Sequence, residues 1–395
     1  MRQLSALRAQ IIRGLYLPLS VLAVCGLLFT AGYMLCPSSM QGGEMATHVH
    51  QAGYLLTRIA GALTDNIGFL FAASSACTSR RGEGTKRALA GLMIYLIVTA
   101  LLSPYTMRIV FYSASETALE PFQYFPQVFG GIACGLLAAW IMDLFFKRGK
   151  DYLCVIAVSC LAAALLAAVF GGVYFLLYHG LYRAGQWMTE ANTAGTVLFP
   201  MLNRLLMPLN LHHALNRAVL AGPPGYADLN RYWANETAGD PGRFMSGFFP
   251  VMMGGIAGAV LALRRKQSCS KVMQMFLMLS FLASYLGGFS EPFEIAAAFS
   301  APVLYIVHCL FYGVFAWLAN LLRFRAGFAL SGGLADLVFS APYPAAHNTW
   351  MIIPLCALSF ACYYFLYRKF SDTVCGRQLG QFLGSETLLL REEED

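Results

Sequence analysis

Six side chains gathered in two short stretches, Arg204, His212, His213 and Asn216 in one and Glu291 and Glu294 in the other, are of types that bind and activate a polyhydroxyl ligand. A neutral imidazole both donates and accepts, which suits a sugar hydroxyl that does the same. His212 and His213 are adjacent, with Arg204 and Asn216 close by in sequence. Either histidine could instead bond a carbonyl freed by Pro208, which removes an N–H donor from any helix there. Glu291 and Glu294 bracket Pro292 just after Gly287-Gly288, a spelling that suits a hairpin tip better than a helix interior. A carboxylate buried at such a tip can accept a hydroxyl proton if its pKa is raised. The competing structural role for either glutamate is an ion pair with Arg204 or Arg243. No third ligand is placed by spacing, so no metal site is expected, and no cofactor is called for.

These polar groups interrupt a chain of 395 residues that is 58% hydrophobic and 12% charged. A soluble domain carries roughly 25% charged residues. The composition therefore means a polytopic membrane protein. The net charge of +7 falls in short clusters between apolar runs, which speaks for membrane topology and against a nucleic-acid partner. The eleven cysteines are scattered with no C-x-x-C spacing, so neither a disulfide framework nor a zinc site is expected. Polar residues at membrane depth are costly unless paired or facing a wet cavity. Broken backbone survives there only under cover of protein or beside such a cavity. The stretch 203–216 is thus expected to be a re-entrant or interrupted segment carrying a binding site, in the manner of transporter sites near the midplane.

The elements that must position these residues follow from apolar length, about 20 residues per spanning helix. Arg2, Arg8 and Arg13 alternate with one apolar face, predicting an interfacial helix over 1–14. Spans are expected at 15–35, 55–77, 87–103, 127–147, 152–180, 242–263, 271–288, 298–322 and 350–367, with a weaker crossing at 326–341, about ten in all. Asp65-Asn66 and Asp336 read as helix-break residues, and 228–236 as an external loop or a lid. Basic clusters at Arg80-Arg81, Lys147-Arg148, Arg264-Arg265-Lys266, Arg323 with Arg325, and Arg368-Lys369 are expected on the cytoplasmic side. Both termini then come out cytoplasmic, and 36–54, which has no Lys or Arg, external.

The block Asn203-Arg204-Leu205-Leu206-Met207-Pro208, followed by Leu211-His212-His213-Ala214-Leu215-Asn216, resembles the signature of membrane component IIC of the phosphoenolpyruvate-dependent sugar phosphotransferase system (PTS). The branch is the glucose, N-acetylglucosamine, maltose and glucoside superfamily. Three further blocks agree in order: Phe244 to Met253, Ser290-Glu291-Pro292-Phe293-Glu294 continuing to Ala301-Pro302-Val303-Leu304-Tyr305, and Ser331-Gly332-Gly333-Leu334-Ala335-Asp336. The resemblance covers the chain to about Arg368. Departures include Asn66-Ile67-Gly68 for the usual Asn-Leu-Pro, Asn235-Glu236 in a loop about two residues longer than the pattern, and Lys150-Asp151-Tyr152 in place of an Arg-Phe-Val-Pro block.

The resemblance implies an all-α, homodimeric bacterial inner-membrane permease with two re-entrant hairpins. A scaffold part would cover roughly 1–180 and a transport part 181–370. The family's sugar-site residues map onto His212 or His213 and onto Glu291, whose carboxylate would orient or deprotonate the receiving hydroxyl. The phosphate would come from the phosphocysteine of a IIB partner. The tail 371–395 is too short to fold as that domain, so Cys375 is expected to be inert and IIB to act as a separate protein. The spelling of the two blocks leans towards an N-acetylglucosamine or glucose-type sugar. A sugar-binding sensor, or a facilitator that releases unphosphorylated sugar, are the competing functions.

Overall fold

Where water is absent, a helix satisfies its own backbone, so long apolar runs wind into helices. The computed structural model describes residues 2–36, 47–78, 84–111, 116–124, 127–146, 152–222, 227–265 and 271–370. The expectations placed on Arg80-Arg81, Lys147-Arg148, Lys266, Cys375 and the tail fall outside these residues, as do most of the loops 36–54 and 264–271.

The helices run in chain order as α1 (Arg2–Leu35), α2 (His48–Thr64), α3 (Ile67–Cys77), α4 (Gly84–Leu101), α5 (Pro104–Val110), α6 (Glu116–Leu119), α7 (Gln127–Phe146), α8 (Tyr152–Glu190) and α9 (Asn192–Leu206). They continue as α10 (His212–Val219), α11 (Asp228–Trp233), α12 (Ile256–Arg264), α13 (Lys271–Gly287), α14 (Glu291–Ser300), α15 (Pro302–Leu321), α16 (Leu334–Ser340) and α17 (Ile352–Phe370). Among the described residues, six helices are long and apolar enough to cross a membrane, and shorter apolar helices cover Pro250–Arg264 and Lys271–Gly287. The chain is a multi-pass, all-helical membrane protein.

Several boundaries differ from those expected. The interfacial helix and first span are one continuous helix of 34 residues with Pro18 inside it. Gly14 does not break it; the glycine makes room for the backbone of Ser75, whose Cα would lie 3.0 Å from an added Cβ. The run 55–77 is two helices, α2 and α3, separated by a turn at Asp65-Asn66. The run 298–322 breaks at Ala301, because the residue before a proline is pushed out of the helical region. The weak crossing at 326–341 is a loop followed by the seven-residue α16.

The basic clusters are also redistributed. Arg325 pairs its backbone with His347, just before α17 begins, while Arg368 and Lys369 lie in the last turn of that helix. The guanidinium of Arg265 donates to the Tyr364 hydroxyl at 2.8 Å. Arg265 therefore shares an end of α17 with Arg368, and Arg323 and Arg325 stand at the opposite end. A 19-residue helix is roughly 28 Å long, a full bilayer core. Arg323 and Arg325 therefore cannot share a membrane face with Arg368 and Lys369 if α17 spans.

The residues cluster into two compact units, one of 1–18, 65–184 and 206–215 and one of 19–64, 185–205 and 216 onward. In the first, α3, α4 and α7 pack around Ile94, Val98, Ala138 and Met142. Lipid tails are as apolar as leucine, so helices associate through close packing of small residues. Gly135 of α7 lies so near α3 that an added Cβ would collide with the Ala72 carbonyl. Arg87 of α4 donates to Asp143 of α7 at 2.6 Å.

In the second unit, α17 packs along α12 and along a π-helical stretch, Pro250–Gly255. The wide π turn presents the Met252 carbonyl to Ser284 Oγ, which donates to it at 2.7 Å. Asp336 organises the preceding loop: its two oxygens accept the N–H groups of Ala329, Leu330 and Ser331 at 2.8, 3.1 and 2.8 Å. The Tyr33 hydroxyl donates to the same carboxylate at 2.8 Å.

Candidate functional site

Two interruptions of the helices adjoin the candidate residues in the chain. α9 ends at Leu206 because Pro208 cannot continue it; Met207–Leu209 form a 3₁₀ turn, and Asn210, with φ 60, reverses the chain into α10. The left-handed region suits asparagine better than most residues. The turn between α13 and α14 uses Gly288, with φ +76, where an added Cβ would meet Ser331 Cβ at 2.6 Å. Ser331 Oγ donates to the Gly288 carbonyl at 2.9 Å, so the loop stapled by Asp336 also buttresses this turn. Glu291 then starts α14 and Glu294 follows one turn in.

Arg204, near the end of α9, reaches the second carboxylate. Its Nη1 donates to Glu294 Oε2 at 3.3 Å and to Ser290 Oγ at 3.4 Å. Its guanidinium lies 5.0 Å from the Phe248 ring centre and 5.3 Å from that of Tyr312, and the Tyr305 hydroxyl donates to its backbone carbonyl. The other oxygen of Glu294 accepts from the Tyr312 hydroxyl at 2.7 Å and faces His308 Nε2 at 3.1 Å. His308 Nδ1 faces the Tyr363 hydroxyl at 2.7 Å. A neutral imidazole protonated on Nε2 satisfies every one of these groups, with Tyr363 donating to Nδ1. Glu294 and His308 are fully buried. Glu294 is thus a saturated anion.

Glu291 is different. Its Oε2 is buried without a hydrogen-bond partner among the described residues, and so is Nε of Arg204. A buried polar atom left unpaired costs about 1–3 kcal/mol. An acceptor and a donor are thus left open on residues that attract each other electrostatically, and a ligand carrying both hydroxyl hydrogens and oxygens would satisfy both.

The structure brings Arg204, Glu291 and Glu294 together in the second unit. Arg243, the other expected partner, instead donates to the Thr189 carbonyl at 3.0 Å. Asn216 accepts from Asn203 at 2.6 Å, tying the middle of α10 to α9. His212 and His213 open α10 and belong to the first unit, with ring centres 4.2 Å apart. Their neighbours Leu211 and Ala214 pack on Tyr174 and Tyr178 of α8, and the Tyr174 hydroxyl donates to the Asn210 carbonyl at 3.1 Å. Asp228 accepts the N–H groups of Gly242 and Phe244 at 2.9 and 3.1 Å, which makes the 228–236 segment a braced element.

Sequence reasoning missed Tyr305, His308, Tyr312 and Tyr363. A signal was present: Tyr305, His308 and Tyr312 recur at helical spacing within an otherwise apolar span, and an ionisable residue inside a span marks a site by default.

The chain matches the family described as phosphotransferase system, EIIC over residues 12–313. It is 31% identical over 93% of its length to the PTS system N-acetylglucosamine-specific EIICBA component of Escherichia coli, and covers 55% of that protein. It is 29% identical to the N-acetylglucosamine-specific EIIC component of Streptomyces coelicolor, with 93% of this chain and 91% of that protein aligned. With the N-acetylglucosamine-specific EIICB component of Bacillus subtilis the identity is 27%, over 92% and 77% of the two chains. The chain spans about half the length of the EIICBA relatives it matches.

Proposed function

The chain belongs to the phosphotransferase system EIIC family, and from that premise we propose that it binds a sugar of the N-acetylglucosamine or glucose type and moves it across the bacterial inner membrane. The observation that carries this reading is that Oε2 of Glu291 and Nε of Arg204 are both buried without a hydrogen-bond partner among the described residues, on side chains that attract each other electrostatically. Glu291 accepts sugar hydroxyls and takes the proton of the hydroxyl that receives phosphate. Glu294 holds Arg204 in place from behind. Asn216 keeps α9 and α10 in register, and His212 and His213 enter as sugar-binding residues on their chemistry.

The proposed phosphate donor is a IIB unit acting on the cytoplasmic side, and the proposed assembly is a homodimer with both termini cytoplasmic. The test is uptake into inside-out and right-side-out vesicles given labelled N-acetylglucosamine or glucose, with and without phosphorylated IIB. Accumulation of sugar phosphate only with phosphorylated IIB is expected. Accumulation of free sugar without it, or no accumulation in either condition, would overturn the reading in favour of a facilitator or a sensor.

A further inference from the structure

A cavity of about 620 Å³ lies within the second unit, its lining including Asn192, Asp240, Arg243, Arg323, Arg325 and Asn348. About fifteen residues of α15 and its end separate Arg323 from His308, on the order of 20 Å of helical rise, so this is not the carboxylate site.

Three arginines and one carboxylate line this cavity, and two of the guanidinium groups are engaged. Arg325 grips Asp240 through two bonds, at 2.7 and 2.6 Å. Arg243 donates to the Thr189 carbonyl and lies over the Phe244 ring. The guanidinium of Arg323 is exposed and has no hydrogen bond or ion pair among the described residues.

The backbone points the same way. Among the described residues, six that are not glycine have left-handed φ, and four of them line this cavity: Asn192 (49°), Asp240 (58°), Arg323 (49°) and Asn348 (48°). Asparagine and aspartate tolerate that region, whereas arginine does not favour it. Arg323 follows the end of α15, and the turn closes as Phe324 N–H donates to the Ala319 carbonyl at 2.9 Å. Helices that end this way usually place glycine there. An arginine in that place works against the stability of the turn and projects a free cation into the cavity.

The surroundings identify the anion. An exposed apolar stripe runs along α15 from Val303 through Leu310 and Trp317 to Leu321, two residues before Arg323. Trp350, exposed, follows Asn348 by two residues. Tryptophans favour the interface where lipid headgroups lie, so the free guanidinium emerges at headgroup depth at the end of a lipid-facing stripe. We propose that this cavity binds the headgroup of an anionic phospholipid, with Arg323 donating to its phosphate. Asn192 and Asn348 offer amide groups to headgroup hydroxyls, and an acyl chain lies along the α15 stripe.

The test is native mass spectrometry of the detergent-purified full chain titrated with phosphatidylglycerol or phosphatidylcholine, paired with melting temperatures. Wild-type protein is expected to retain phosphatidylglycerol over phosphatidylcholine. Arg323→Gly and Arg323→Gln are each expected to bind phosphatidylglycerol about fivefold more weakly, the effect of one cation near a membrane surface. Without lipid, Arg323→Gly should melt no lower than wild type, since glycine suits the left-handed turn. Unchanged phosphatidylglycerol binding in both variants would overturn the proposal. So would equal retention of the two lipids, or full protection of the melting temperature by glycerol 3-phosphate alone, which would make this a site for a free anion.

Discussion

Nη1 of Arg204 lies 3.3 Å from Oε2 of Glu294, joining the end of α9 to the first turn of α14 with both side chains shielded from solvent. Glu291, three residues earlier, keeps an oxygen with no hydrogen-bond partner among the described residues. The two carboxylates therefore have different work. Glu294 neutralises a buried cation, and removing one member of such a pair strands the other charge.

Replacing each carboxylate by its amide separates these roles. Glu291→Gln should weaken sugar binding on the order of ten- to a hundredfold, the loss of one charge-assisted bond, while leaving the melting temperature near wild type. Glu294→Gln and Arg204→Ala should each lose about 3–5 kcal/mol of stability before affecting selectivity among sugars. Calorimetry of sugar binding alongside melting curves on purified protein reads both. Wild-type sugar affinity in Glu291→Gln, with the loss in Glu294→Gln, would reverse the assignment.

Asp336 should behave as a structural residue. It accepts three backbone N–H groups and the Tyr33 hydroxyl, so Asp336→Ala leaves several buried donors unpaired, a cost of about 1–3 kcal/mol for each one that water cannot reach. Tyr33→Phe removes a single bond to a charged group and should cost about 1.5–3 kcal/mol at most. Thermal melts that rank Tyr33→Phe as the more harmful change would contradict this arrangement.

Asp240 gives a pH dependence. Partial burial pushes its carboxyl up, but the bidentate bond and charge of Arg325, helped by Arg243 and His347, outweigh that and hold it below the ordinary carboxylate value. A group whose folded pKa is depressed contributes stability above its unfolded pKa and loses it as the pH falls through the folded one. The contribution is thus whole at neutral pH and fades below about pH 4. The gap in melting temperature between wild type and Asp240→Asn should be present at pH 7 and close under acid conditions. Because Asp240 is half exposed, solvent screening keeps the gap small. A gap that widens on acidification would contradict the sign.

Membrane topology can be read at the two ends of α17. Single cysteines replacing Arg323 and Arg368, in a background where the native cysteines are removed, should be labelled by an impermeant thiol reagent from opposite faces of the membrane. The proposed cytoplasmic C-terminus puts position 368 inside and position 323 outside. Labelling of both from the same face would mean that α17 does not span.

Much of this protein is set by composition and local pattern. Charge content and apolar run length suffice for an all-helical membrane chain, because an unpaired backbone in lipid is prohibitive whatever the neighbours are. Pro208 and Gly287-Gly288 mark both interruptions, since proline lacks a donor and glycine admits a positive φ regardless of context. What only the tertiary structure decided is which polar groups meet. Arg204 could have paired with either glutamate, and its choice of Glu294 depends on His308, Tyr312 and Tyr363 arriving from α15 and α17 to saturate that carboxylate and leave Glu291 open. The placement of Arg323 and Arg325 at the opposite end of α17 from Arg368 was likewise beyond reach of a charge count. It depends on the 326–341 segment folding back as a loop around Asp336, a long-range consequence of one carboxylate collecting three N–H groups and a tyrosine from distant helix α1.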